Sequence, residues 1–540
     1  MLNPSVPFKS LRPLYAYVNI LRPLYHRNKA AGMDKYVKDI LSAQVYDVAI
    51  ESPIHKAASL SRRLENDVWL KREDLQPVFS FKLRGAYNKM SRLTPEAARR
   101  GVIAASAGNH AQGVALAGTA LGINTVIVMP VTTPAIKIDG VRSRGGKVIL
   151  HGDTYNEAAE FAMQLVAEKG YTFVHAFDDR DVIAGQGTVG LEIIRQHSGP
   201  LDAIFVPVGG GGLMAGMAAY IRYIRPEIRL IAVEAEDSAC LKAALAAGRR
   251  VKLAQVGLFA DGVAVNQVGR ETFKILKHCV DEVVTVTTDE ICAAIKDIFD
   301  DTRAVTEPAG AVAIAGLKKA VREQSLRGMS LMAMVTGANV NFDRLRHISE
   351  RAELGESREA VLAVTLDEKP GSFRRFSQVL GKRSVTEFNY RYGDSAAAKI
   401  FVGVEIDDPA SGREKLIATL RNKGFEVHDM THNEAAKLHI RHMVGGRSNK
   451  ALNERVFRFE FPQRPGALMT FLDLLGEQWN ISMFHYRNHG AAYGRVLVGL
   501  QVAPEDATAF NDFVRKIPYQ FQEETGNIAY QTFLGSQESG

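Results

Sequence analysis

Cysteine is scarce: three residues, Cys240, Cys279 and Cys292, stand in a chain of 540. They are too few for a disulfide framework and too far apart for a CxxC metal or redox pair, which points to a reducing, intracellular setting. No apolar run reaches membrane-spanning length, so a helical membrane protein is not expected. A strong charge of one sign is also missing. The net charge is +7, but Lys9, Arg12, Arg22, Arg27 and Lys29 fall in the first 33 residues with no acidic residue among them, leaving about +2 for the rest. A body so nearly neutral offers no basic stripe for a phosphate backbone, so nucleic acid is not expected as a partner.

What is present is an ordinary globular composition, 46% hydrophobic and 24% charged, in a chain too long for one core. Residues 1–33 form a basic extension in which Leu11-Arg-Pro-Leu-Tyr15 is echoed by Leu21-Arg-Pro-Leu-Tyr25. Its prolines argue against a continuous helix, and a mobile extension is expected. An organelle transit peptide is the alternative, suited by the lack of acid and opposed by the presence of only two serines.

From about residue 46 to 350, short β-branched runs alternate with Ala/Leu/Gly-rich helical stretches. Val102–Ala105, Thr125–Met129, Lys147–Leu150, Ala203–Val208 and Leu230–Glu234 read as buried strands. The pattern predicts an α/β domain over 34–350 with twisted, largely parallel sheets and a ligand beyond the strands' carboxyl ends. After Gly355 a repeat appears. Lys369-Pro-Gly-Ser-Phe-Arg-Arg-Phe376 matches Arg464-Pro-Gly-Ala-Leu-Met-Thr-Phe471, and Glu387-Phe-Asn-Tyr-Arg391 matches Met483-Phe-His-Tyr-Arg487. Each copy, 356–443 and 450–535, reads as a βαββαβ module. Pro370-Gly371 and Pro465-Gly466 open the first helix of each copy, where bare N–H groups can meet a small ligand. With Asn389 and His485 they are the candidate effector residues, although a plain strand-to-helix turn would read the same way.

Four segments of the α/β domain carry chemistry. In Ser80-Phe-Lys-Leu-Arg-Gly-Ala86, Lys82 stands beside apolar Phe81 and Leu83, a setting that favours a partly neutral amine. Ser106-Ala-Gly-Asn-His-Ala-Gln-Gly113 follows a strand and leaves N–H groups free for a carboxylate, with Asn109 able to reach a ring hydroxyl. Gly209-Gly-Gly-Gly-Leu213 precedes a helix and suits a phosphate. Thr336-Gly-Ala-Asn-Val-Asn341 puts a hydroxyl at a strand's carboxyl end, where it can bond a pyridine nitrogen without forcing full protonation. A dinucleotide fingerprint would need glycine where Met214 stands, and the GK[ST] of a nucleotide loop is missing.

In this order, a lysine, an asparagine loop, a tetraglycine and a hydroxyl resemble the fold type II family of pyridoxal-phosphate (PLP) enzymes. SFKLRGA, SAGNHAQG, GQGT (Gly185–Thr188), GGGGL, EPAGA (Glu307–Ala311) and TGANVNF together are similar to the long, biosynthetic threonine dehydratases, and the likeness covers about residues 34–535. The resemblance implies two twisted, largely parallel sheets with flanking helices, followed by tandem ACT-like α+β domains. It makes Lys82 the Schiff-base lysine with Phe81 beside the cofactor. It puts Asn109 at the ring hydroxyl, Gly209, Gly210, Gly211, Gly212 and Leu213 around the phosphate, and Thr336 at the ring nitrogen. Ser106, Ala107, Gly108, Asn109 and His110 would hold the substrate carboxylate. It further implies a cytoplasmic homotetramer acting on L-threonine, and on L-serine as well, inhibited by isoleucine with valine opposing it.

Three departures stand out. Thr336 replaces the usual serine, adding a methyl. Ala107 replaces the second serine of serine racemases, which argues against racemisation. Around Glu234, where shorter relatives bind a metal, Ser238 and Cys240 stand in place of the expected partners, so no catalytic metal is predicted. Two rivals share parts of this reading: a threonine synthase or cysteine-forming β-replacement enzyme, which would need a second substrate site, and a branched-chain amino-acid sensor with a degenerate catalytic half.

Overall fold

The computed structural model describes residues 33–534 apart from 356–357, 368–371, 382, 384, 390–396, 409–410, 443–452, 463–478 and 488–492. The extension before Met33 lies outside the described residues. The chain divides into two compact units, one ending at Val340 and one beginning at Asn341. Among the described residues no helix is long and apolar enough to cross a membrane.

The strands of the first unit are β1 (Ile54–Lys56), β2 (Asp67–Arg72), β3 (Val102–Ala105), β4 (Thr125–Met129), β5 (Lys147–Leu150), β6 (Thr172–Phe173), β7 (Ala203–Pro207), β8 (Arg229–Ala235), β9 (Glu282–Val286) and β10 (Ser330–Val335). They form a smaller sheet in the order β5-β4-β3-β6 and a larger one in the order β1-β2-β10-β7-β8-β9. In the larger sheet β1 pairs antiparallel with β2, and the other pairings are parallel. Every residue of β3, β4 and β7 is buried, because helices cover both faces. Alternation then assigns the faces. Val102, Ala104 and Ile127 pack with Ala111, Val114 and Ala115 of the helix Asn109–Leu121. Ile103, Ala105, Val126 and Val128 pack with Ala158 and Ala162 of the helix Tyr155–Lys169. The loops that leave the carboxyl ends of β3, β7 and β10 begin at Ser106, Val208 and Thr336.

The second unit holds β11 (Glu359–Asp367), β12 (Val385–Asn389), β13 (Ala397–Glu405), β14 (Glu426–Asp429), β15 (Glu454–Pro462), β16 (Asn480–Arg487), β17 (Tyr493–Gln501) and β18 (Gln520–Glu523). Its two antiparallel sheets have matching orders, β12-β13-β11-β14 and β16-β17-β15-β18. Both carry a register shift at the same place, Val385/Glu387 in one and Ile481/Met483 in the other. The duplication is therefore structural down to a bulge. On β11, Ala360, Leu362 and Val364 face the core of their own module. Val361 and Ala363 turn the other way and share a core with Val456 and Leu497 of the second copy.

Each copy also has a short helix after its fourth strand, Glu434–Leu438 and Ile528–Phe533. Asn433 and Asn527 cap these helices, and Asn433 Nδ2 donates to Asn527 Oδ1 at 3.0 Å. Of the candidate effector residues, Pro370, Gly371, Pro465 and Gly466 lie outside the described residues. Asn389 ends β12 and His485 lies within β16.

Candidate active site

Lys82 is the first residue of the helix Lys82–Ser91, and the chain entering it is held tightly. Phe79 takes a left-handed φ of 55°, its carbonyl accepts the Ala338 N–H at 2.9 Å, and Ser80 bridges Gly337. The start of the lysine helix is thereby tied to the loop that follows β10. Behind it runs the helix Arg180–Gln196. A Cβ on Gly185 would lie 2.6 Å from the Arg84 carbonyl and 2.7 Å from the Gly85 Cα, so the two helices meet through bare backbone. On the far side a Cβ on Gly216 would come within 2.3 Å of the Ile183 carbonyl, which wedges the same helix against Gly212–Ile224.

Next to this crossing lies a buried set of charges. Arg84 donates to Glu73 at 2.8 Å and to Glu192 at 2.5 Å, and Lys71 donates to Glu192 at 2.6 Å. Thr188 Oγ1 accepts a further bond from Arg84 at 3.1 Å. Two cations and two anions cancel, and each is bonded, which is the condition under which buried charges persist. The SFKLRGA and GQGT motifs are thus the two halves of one contact.

The cleft above this contact offers about 560 Å³ of space, open solvent at its mouth included. Phe81, Lys82, Asn109, Leu213 and Thr336 line it, as does the whole tetraglycine from Gly209 to Gly212. Ser106, Ala107, Gly108 and His110 are not among its walls. Ser106 and Gly108 lie in the loop behind Asn109, where the Gly108 N–H donates to Ser106 Oγ at 3.2 Å. The His110 ring is buried and bonds the Val174 carbonyl through Nε2 at 2.8 Å, and burial pulls its pKa down to about 3. A carbonyl only accepts, so Nε2 carries the proton of a neutral ring.

Desolvation holds the Lys82 amine below the usual lysine range, against the pull of Glu307 and Asp261. Its Nζ lies 5.9 Å from the centre of the Phe81 ring. Burial pushes Glu307 up to about 7. The Thr336 hydroxyl donates to the Ala309 carbonyl at 3.2 Å, long for an O–H···O bond, which leaves it free to turn towards a ligand.

The donor set fits a small aromatic aldehyde bearing a phosphate. The helix Gly212–Ile224 opens within the tetraglycine, and its first-turn N–H groups have no intrahelical acceptor. The loop has no room for side chains. A Cβ on Gly210 would lie 2.3 Å from the Phe177 ring and one on Gly209 2.8 Å from the Val263 carbonyl, while Gly211 adopts a φ of +92°. In the same cleft Gln186 Oε1 is buried without a hydrogen-bond partner, as expected of a group that awaits a ligand. Gln186, Phe177 and Glu307 were assigned no role from the sequence. The first and last stand inside the GQGT and EPAGA motifs, which was the available signal.

Near Glu234 the pattern is different. Its two carboxylate oxygens accept the N–H groups of Leu241 and Lys242 at 2.8 and 2.9 Å, Cys240 Sγ lies 3.4 Å from the Gly209 carbonyl, and Ser238 bonds Asp237. Among the described residues no three His, Cys, Asp or Glu side chains converge as metal ligands.

Comparison with known proteins agrees with this chemistry. The family described as "Pyridoxal-phosphate dependent enzyme" matches residues 45–337, and "C-terminal regulatory domain of Threonine dehydratase" matches twice, at 350–440 and 445–534. The biosynthetic L-threonine dehydratase IlvA of Burkholderia multivorans is 56% identical over 92% of this chain and 99% of its own. The chain belongs to the biosynthetic threonine dehydratases. The Escherichia coli threonine dehydratase is 52% identical over 93% of this chain and 97% of its own. Among solved structures, threonine deaminase isoform 2 of Solanum lycopersicum superposes with a TM-score of 0.59 at 49% identity, covering 60% of this chain and 89% of that one. As a threonine dehydratase the chain is a carbon–nitrogen lyase, a threonine ammonia-lyase, whose cofactor is pyridoxal phosphate. Its second unit includes both matches to the C-terminal regulatory domain of threonine dehydratase.

Proposed function

We propose that this enzyme converts L-threonine to 2-oxobutanoate and ammonia, and L-serine to pyruvate, as the committed step towards isoleucine, and that isoleucine inhibits it while valine opposes the inhibition. What supports the reading is the meeting of Phe81, Lys82, Asn109, the tetraglycine and Thr336 around one cleft. When bound, pyridoxal phosphate supplies an electron-withdrawing ring that stabilises negative charge at the substrate Cα.

The chain's residues do the rest. Lys82 would hold the cofactor through its side-chain amine, and the same desolvated amine, when free, is the base for the substrate Cα proton. The N–H groups of Gly209–Leu213 would hold the phosphate, with Thr336 for the ring nitrogen and Asn109 for the ring oxygen. The loop Ser106–His110, of which Asn109 lines the cleft, would take the substrate carboxylate at a helix start. Thr336 is a neutral partner that would not force a full proton onto the ring nitrogen, and the reaction loses the β-hydroxyl together with one proton as water. Water added back releases ammonia.

Residues 34–350 serve as the catalytic domain, with 356–443 and 450–535 as regulatory modules in a cytoplasmic homotetramer. Incubation with threonine alone tests this reading: ketoacid should form without a second substrate, and isoleucine should suppress it. Deleting 356–540 should keep turnover and abolish the response to isoleucine. A demand for a co-substrate would favour β-replacement chemistry, and a truncated enzyme that stayed sensitive would place the effector elsewhere.

A further inference from the structure

Glu307 and Asn339 have no part in the chemistry above, yet together they decide what Asn109 can do. Asn339 Nδ2 donates to the Val78 carbonyl at 2.8 Å. A carbonyl accepts only, so this bond fixes which end of the Asn339 amide carries its hydrogens. The same Nδ2 donates to Asn109 Oδ1 at 2.7 Å, so the Asn109 amide is oriented in turn. Its nitrogen then faces Glu307, where Nδ2 donates to Oε1 at 2.5 Å.

Room for that carboxylate is built into two motifs. A Cβ on Gly337 would lie 2.4 Å from Glu307 Oε1, and one on Gly310 would lie 2.3 Å from the Gly337 carbonyl. The EPAGA and TGANVNF segments interlock through these glycines, and the Glu307 N–H donates to the Gly337 carbonyl at 3.2 Å. Asn109 and Glu307 are both buried, at 9% and 5% exposure, and both line the cleft.

We propose that Glu307 and Asn339 are positioning residues that clamp the Asn109 amide from both ends, leaving one N–H as the donor it presents to the cofactor ring. This rests on the reading that the cofactor is carried by Lys82 with Asn109 at its ring oxygen. The consequence is chemical: a fixed N–H donor bonds an anionic oxygen more strongly than a hydroxyl, so the clamp would favour the ring oxygen without its proton. Proton position governs the visible band of the lysine-bound cofactor, which gives a readout independent of turnover.

Glu307→Leu removes the acceptor, and Glu307→Gln restores an acceptor oxygen. Glu307→Leu and Asn339→Ala should shift the visible band in the same direction as Asn109→Ala. Glu307→Leu should weaken cofactor binding about tenfold, the scale of one hydrogen bond, with Glu307→Gln within about threefold of the parent. In an Asn109→Ala background, Glu307→Leu should add less than about twofold, because the group it positions is gone. An unchanged band and affinity in Glu307→Leu, or an effect that persists in full without Asn109, would overturn the proposal. Should Glu307→Leu fail to fold, the half-buried Asn339→Ala carries the same spectral test, and an unshifted band there counts against the clamp. Lys82→Ala separates the two levels: a band that survives it sinks the Lys82 reading and this inference together, whereas a band that needs Lys82 but ignores Glu307 and Asn339 sinks only the clamp.

Discussion

His110 shows at the scale of one residue how the protein fixes a charge state. Its ring is buried, its Nε2–H is bonded to Val174, and its pKa falls to about 3. A free histidine takes a proton near pH 6.5. Below that value the unfolded chain binds a proton that the folded chain refuses, so stability is lost as pH falls from about 6.5 towards 3. At pH 5 the loss is about 2 kcal/mol, at roughly 1.4 kcal/mol per pH unit. His110→Gln keeps an N–H donor and does not titrate. The difference in urea midpoint between pH 7 and pH 5, measured on the cofactor-free protein, should therefore shrink in this variant. An unchanged difference would show that His110 does not refuse the proton.

Single residues were also where the sequence was most readable for the site and least readable for its support. Asn109, the tetraglycine and Thr336 stand in short motifs beside strand ends and Lys82 at a helix start, and a local pattern reveals them. The roles of Glu307 and Asn339 depend on partners far along the chain, up to 230 residues in the pair of Asn339 with Asn109. No local pattern encodes such a pairing.

At the scale of elements, the buried strands β3, β4 and β7 were legible because helices on both sides demand near-continuous apolar runs, whereas β5, expected to be buried, is an edge strand whose residues are half-buried or exposed. The strand β2 reads Asp-Val-Trp-Leu-Lys-Arg and was not legible, since its buried Lys71 and Arg72 are charged, Lys71 bonding Glu192 far along the chain and Arg72 bonding Asp74 just beyond the strand. The short fourth strands of the repeat, Glu-Val-His-Asp and Gln-Phe-Gln-Glu, are edge strands with mostly polar side chains and gave little signal. Helix contact through glycine has a sharper consequence. At Gly185 an added methyl has nowhere to go, because the atoms 2.6 and 2.7 Å away are backbone. Gly185→Ala should drive the lysine helix from its neighbour, lowering stability by about 1–3 kcal/mol and reducing retained cofactor. Chemical denaturation and the ratio of visible to ultraviolet absorbance measure the two effects, and a variant equal to the parent in both would contradict the close crossing.

At the scale of the whole molecule, two compact units and a duplicated regulatory region describe a catalyst with an attached controller. Control requires that the effector favour one state of the enzyme over another, and a tenfold change in activity needs about 1.4 kcal/mol of such preference. The shared core of Val361, Ala363, Val456 and Leu497, with the Asn433–Asn527 bond, makes the two modules one body, so a ligand on either can bias both. On the proposed reading, the reaction depends on one amine at the head of one helix, that of Lys82. Borohydride reduction of the cofactor-loaded enzyme, followed by peptide mapping, reads that dependence directly. The account predicts a single pyridoxyl-lysine in the peptide containing Lys82; the same label on a different lysine would contradict it.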